Sequence, residues 1–274
     1  MPDWGMWDGG RQESTRDAAL SAGSAAITAG AANTKGAWVQ LIAATTFETS
    51  WVTVQAVGNS ASARYLVDIG IGAAGAEWVL FANVPLAGVS ASTAGTMLQV
   101  PFAIPAGVRI AARVQSSTAS VTIRAQVVLC QGGVGQAPPL GRATTWGADT
   151  VDSGGALVDA GATVNTKGAW GQIIASTDQT VRWLCIHVTH GAIVTVSGIH
   201  FLVDIGVGAA GSEGAILSNL YFYYSTSNDA FMTPTICLPV NIPAGVRVAA
   251  RAQASIANTT ATDTQVDVVL VGVG

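Results

Sequence analysis

Ile104-Pro105-Ala106-Gly107-Val108-Arg109-Ile110-Ala111-Ala112-Arg113 decides the fold, because it occurs twice, returning as Ile242-Pro243-Ala244-Gly245-Val246-Arg247-Val248-Ala249-Ala250-Arg251. In each occurrence a Pro-Ala-Gly turn leads into strict alternation, the signature of a half-buried strand. Val108, Ile110, Ala112 and Val114 share one face, and Arg109, Ala111, Arg113 and Gln115 the other. Outward from this stretch the repetition continues in the same order. Leu66-Val67-Asp68-Ile69-Gly70 returns as Leu202-Val203-Asp204-Ile205-Gly206, and Asn33-Thr34-Lys35-Gly36-Ala37-Trp38 as Asn165-Thr166-Lys167-Gly168-Ala169-Trp170.

The repeat unit exceeds a hundred residues, far beyond the roughly 20–50 of a solenoid unit or propeller blade. Each copy is therefore a whole domain. Within a copy, short alternating runs such as Val121 to Cys130 and Thr264 to Val271 are separated by turn residues. This pattern predicts an all-β chain of two tandem antiparallel β-sandwiches, jelly-roll-like with about eight strands each. The expected division is an N-terminal extended arm over 1–20, copy 1 over 21–133, a Gly/Pro linker over 134–143 and copy 2 over 144–274.

Composition agrees. Half of the 274 residues are hydrophobic, 32 are glycine and only 10% are charged, against about a quarter in an ordinary soluble domain. So little charge predicts that part of the surface is covered by other subunits. With a net charge of −4, and Lys35 and Lys167 as the only lysines, an electrostatic footprint for nucleic acid is missing. No apolar run is long enough for a membrane-spanning helix, and the N-terminus lacks a basic leader. Cys130, Cys185 and Cys237 are too few and too irregular for a disulfide framework or a zinc site, and are expected as small packed residues of a chain made in a reducing cytoplasm.

No catalytic constellation stands out. His187, His190 and His200 all lie in copy 2 and are expected on polar faces rather than around a metal. No nucleophile elbow is present. Asp68 and Asp204 could pose as paired acids for sugar hydrolysis. Because both belong to one repeated motif, the stronger expectation is a partly buried aspartate paired with Arg113 or Arg251, or capping a turn. Trp38, Asp68, Arg109 and Arg113, with Trp170, Asp204, Arg247 and Arg251, thus form a structural repeat motif. No cofactor is implied. Differences between the copies point to contacts instead. Where copy 1 has Val84-Pro85-Leu86, copy 2 reads Leu220-Tyr221-Phe222-Tyr223-Tyr224. These aromatics make Tyr221, Phe222, Tyr223 and Tyr224 a candidate recognition surface, for a neighbouring subunit or a glycan. Trp4, Met6 and Trp7, in an arm with no repeat partner, are the candidate docking residues for another protein.

Taken together, N-T-K-G-A-W, L-V-D-I-G-x-G-A-A-G and I-P-A-G-x-R-x-A-A-R resemble a recurrent domain of tailed-bacteriophage virion proteins, over about 30–130 and 162–274. The resemblance implies a virion structural protein, assembled in the host cytoplasm, with no catalytic residue to carry over. A tail-fibre or appendage component involved in host attachment is the leading expectation. Its partners would be other virion proteins, copies of itself in a homo-oligomer, with a trimer favoured since fibres are usually three-fold, and a host surface glycan. A capsid decoration protein is the alternative, and a glycan depolymerase the remote one.

Overall fold

A computed structural model describes residues 11–14, 25–58, 63–87, 96–131, 141–190, 198–224, 235–257 and 264–274, and among these no helix occurs. The first copy contains β1 (Arg11–Ser14), β2 (Ala25–Thr28), β3 (Val39–Ile42), β4 (Trp51–Gly58), β5 (Arg64–Ile71), β6 (Trp78–Ala87), β7 (Thr96–Val100), β8 (Ile110–Ser116) and β9 (Thr122–Gln131). The second contains β10 (Ala143–Trp146), β11 (Ala156–Asp159), β12 (Gly171–Ile174), β13 (Val181–His190), β14 (Ile199–Val207), β15 (Gly214–Tyr224), β16 (Ile236–Ile242), β17 (Val248–Ala254) and β18 (Gln265–Val273).

Copy 1 folds into one sheet ordered β1-β9-β4-β7, with β2 also on β9, and a second ordered β3-β8-β5-β6. Copy 2 repeats this as β10-β18-β13-β16, with β11 also on β18, and β12-β17-β14-β15. This alternation of strands between two sheets, all pairs antiparallel, is the jelly roll. Its first strand is split: β1 and β2 lie end to end along β9, against Val128–Gln131 and Thr122–Ala125 respectively. Arg11–Ser14, expected in the free arm, therefore belongs to the sheet. Ala143, expected in the linker, opens β10, and the amides of Gly141 and Arg142 donate to the carbonyl of Gly274.

The alternation read from the sequence places the core. Ile110, Ala112 and Val114 point into the first sandwich, and Val248, Ala250 and Ala252 into the second. The first core extends beyond its own copy, since Cys185, Val271 and Val273, on the outer face of β13 and β18, pack into it. The side of the first jelly roll, at β6 and β7, thus sits against the outer face of the second.

Candidate functional site

The repeated motif residues converge on the outer half of each β3-β8-β5-β6 type sheet. Asp68 lies at a β-bulge, where the register between β5 and β6 shifts around it. Opposite it, Asn83 takes a left-handed conformation, φ 51°, which asparagine tolerates. The bulge leaves the Asn83 amide without a ladder partner, and it donates to Asp68 Oδ1 at 2.8 Å. Lys35 Nζ donates to the same oxygen at 2.8 Å and Arg113 Nε to Oδ2 at 2.8 Å. Copy 2 reproduces each contact: Asn219 N–H (2.8 Å) and Lys167 Nζ (2.7 Å) on Asp204 Oδ1, and Arg251 Nε (2.9 Å) on Oδ2.

The network reaches one layer further. Arg113 and Arg251 lie over the rings of Trp38 and Trp170, 4.6 and 4.5 Å from the centroids. Each tryptophan in turn covers a glycine, with Gly70 beneath Trp38 and Gly206 beneath Trp170; a Cβ on Gly206 would stand 2.7 Å from Trp170 Cη2. Arg109 holds Glu77 Oε1 at 2.8 Å and Gln40 Oε1 at 3.1 Å, and Arg247 holds Glu213 Oε1 at 2.5 Å and Gln172 Oε1 at 3.1 Å. Burial alone would raise Asp204, but Lys167, the Asn219 amide and Arg251 outweigh it and hold the carboxyl below its usual range. A buried carboxylate kept ionised by two cations is suited to pinning a bulge and poorly suited to donating a proton. Sequence reasoning missed the lysines, although the chain's only two stand at equivalent positions of the repeat.

Of the four candidate recognition aromatics, the structure leaves two facing outward. They lie on strand β15, so they alternate. Phe222 and Tyr224 are buried in the second core, while Tyr221 and Tyr223 flank His200 on the outer surface. His200 Nδ1 is 2.7 Å from the Tyr221 hydroxyl, and its ring centroid lies 4.8 Å from that of Tyr223. Trp4, Met6 and Trp7 lie outside the described residues, as does the side chain of His190.

Two expectations are corrected. Cys185, read as a packed thiol, is joined to Cys237 in a disulfide between β13 and β16, where cross-strand register brings the two opposite. Their separation of 52 residues along the chain gave no sign of this. His187, expected on a polar face, is 3% exposed, because the outer face of β13 is an interface rather than a solvent face. Its Nδ1 lies 3.0 Å from Thr235 Oγ1, and burial drives the imidazole down to about 3, so it is neutral.

The junction between the copies is polar at one end and apolar at the other. Arg64 of copy 1 reaches Asp152 Oδ2 at 3.0 Å and Asp267 Oδ2 at 3.5 Å in copy 2. Gln115 donates to the Thr150 carbonyl (3.0 Å) and lies 3.1 Å from Ser153 Oγ, and that hydroxyl donates to Asn33 Oδ1 (2.8 Å). Burial pushes the Asp267 carboxyl up to about 7; the Gly155 amide and Arg64 pull against this and Asp152 adds to it. At the far end Trp51 meets Trp183 edge to face, centroids 5.5 Å apart, and Trp183 Nε1 donates to the Gln99 carbonyl at 3.1 Å.

No family model and no curated protein matches the chain. Among solved structures it is similar to the CBM22-1-CBM22-2 tandem domain of Paenibacillus barcinonensis Xyn10C, at 12% identity and TM-score 0.27 over 97% of this chain and 91% of that one. It is similar to PNGase F, a glycosylasparaginase of Flavobacterium meningosepticum, at 9% identity and TM-score 0.42 over 97% and 96%. A chain of the infectious bursal disease virus Gx strain follows at 10% identity and TM-score 0.24 over 96% and 72%. The chain is a tandem jelly-roll protein, and similarities this weak carry no argument about its activity.

Proposed function

We propose that the chain is a non-enzymatic structural protein of a bacteriophage virion, a tail-fibre or appendage component involved in host attachment. The observation that carries this reading is the fate of the repeated polar residues. Lys35, Asp68, Arg109 and Arg113, with their counterparts in copy 2, hold bulges, glycines and turns in place. The motifs that resemble phage virion domains are thus the motifs that build the jelly roll. The residues that differ between copies, Tyr221 and Tyr223 above all, lie on an outer surface and supply contact area. The segment before Arg11, with Trp4, Met6 and Trp7, is the proposed anchor. A capsid decoration protein is the second reading, favoured by the 10% charge content, which suits a surface covered by capsomers.

Quantitative mass spectrometry of purified particles against the major capsid protein separates the two. A few copies per particle supports the appendage; a ratio near one to one overturns it in favour of decoration. Release of reducing ends from host polysaccharide by the wild type, abolished in Asp204→Asn with the fold intact, would overturn the non-enzymatic reading.

A further inference from the structure

The contact between the two jelly rolls is heterologous, joining the side of the first, at β6 and β7, to the outer face of the second, at β10, β13 and β18. Because the copies are equivalent, each owns both kinds of surface, and one of each is left over. These are the side of the second jelly roll at β15 and β16, and the outer face of the first at β1, β4 and β9. Exposure marks both. Leu80 is 6% exposed and Pro85 is buried on β6, but their repeat counterparts on β15, Ile216 and Tyr221, are 39% and 49% exposed. Cys185 and His187 are buried on β13, but their counterparts on β4, Thr53 and Gln55, are half-buried and exposed.

We propose that these leftover surfaces dock on each other between chains: the β15/β16 side of one chain, through Tyr221 and Ile216, seats on the β4/β9 face of a second copy, around its Thr53 and Gln55. The occupant is a second copy because the equivalent seat within the chain already holds this surface type. The pairing follows from the repeat geometry alone and is independent of a virion location.

The tryptophans say how the contact propagates. Trp51 and Trp183 are repeat equivalents, each on the strand beside the last strand of its copy, opposite Cys130 and Val273. A screw operation displaces every point by at least its axial rise, so a pair of equivalent rings 5.5 Å apart limits the rise to about that distance. That is about half the spacing of two packed sheets. A heterologous contact with so little rise curls around the tryptophans and closes into a ring rather than extending as a filament. The ring holds an even number of jelly rolls, and equivalent rings only 5.5 Å apart lie so near its axis that few jelly rolls fit around it, which gives two or three whole chains. Thr53 and Gln55 replace Cys185 and His187 in the new contact, so it is wetter than the internal one and reversible with concentration.

Sedimentation velocity of the full chain over a concentration series tests this, with Tyr221→Arg and Gln55→Arg as variants at exposed positions and circular dichroism confirming their fold. The wild type should reach two or three times 27.7 kDa, and each variant alone should remain monomeric. Mixing the two variants should restore a two-chain species, since each keeps the surface the other lacks; an isologous contact would not complement in this way. A wild type that is monomeric at every concentration, an oligomer that survives either substitution, unlimited growth, or a mixture that stays monomeric overturns the proposal.

Discussion

Replacing Asp267 with asparagine should stabilise the protein above neutral pH. Asp267 is 2% exposed at the junction of the copies, beside Arg64 of copy 1 and Asp152 of its own. Its carboxyl is carried from 3.8 to about 7, chiefly by burial. Between those values the folded chain keeps a proton that the unfolded chain has released. Stability from this group is therefore full below pH 3.8, falls as pH rises through the window, and stays low above 7. A window of that width corresponds to about 4 kcal/mol. Asparagine imitates the protonated acid and can still accept the Gly155 amide, and Arg64 keeps Asp152, so the variant loses little at pH 4. Urea unfolding followed by tryptophan fluorescence at pH 4, 6 and 8 should show the variant's advantage growing with pH. An advantage that does not change with pH, or a variant less stable than wild type at pH 8, would refute the assigned environment.

Asp204→Ala should lose about 3–5 kcal/mol, because Lys167 and Arg251 are left part-buried without their carboxylate; the thermal unfolding midpoint reads it, and one unchanged from wild type contradicts the network. Gly206→Ala should lose about 1–3 kcal/mol by forcing Trp170 off the sheet, seen as altered near-ultraviolet dichroism together with a lower midpoint. Cys237→Ser opens a cross-link between residues 52 apart in sequence, worth about 4 kcal/mol on chain entropy. Mass spectrometry of a non-reduced digest should find the Cys185–Cys237 peptide pair in the wild type, and two free thiols there would refute the bond.

The sequence by itself determined the domain. Period-two alternation along Ile104–Arg113 and Ile242–Arg251, with turn residues between the runs, admits strands alone, and repetition of whole motifs makes two copies. It also offered Arg113 and Arg251 as partners for Asp68 and Asp204, with a turn cap as the alternative, since an aspartate repeated within one motif of both copies serves the fold. It did not show that Asp68 caps a bulge, because a bulge is a property of register between two strands and leaves no mark on either alone. Tyr221 to Tyr224 read as one aromatic patch along the chain, and only the pleat divided them into two buried and two outward-facing. The disulfide, the buried His187 and the Arg64–Asp152–Asp267 junction were decided by tertiary structure, because each depends on groups from strands or copies far apart in sequence. Local patterning tells a strand which side faces its own core; whether the other side meets water or a second jelly roll is settled only when the two are packed together.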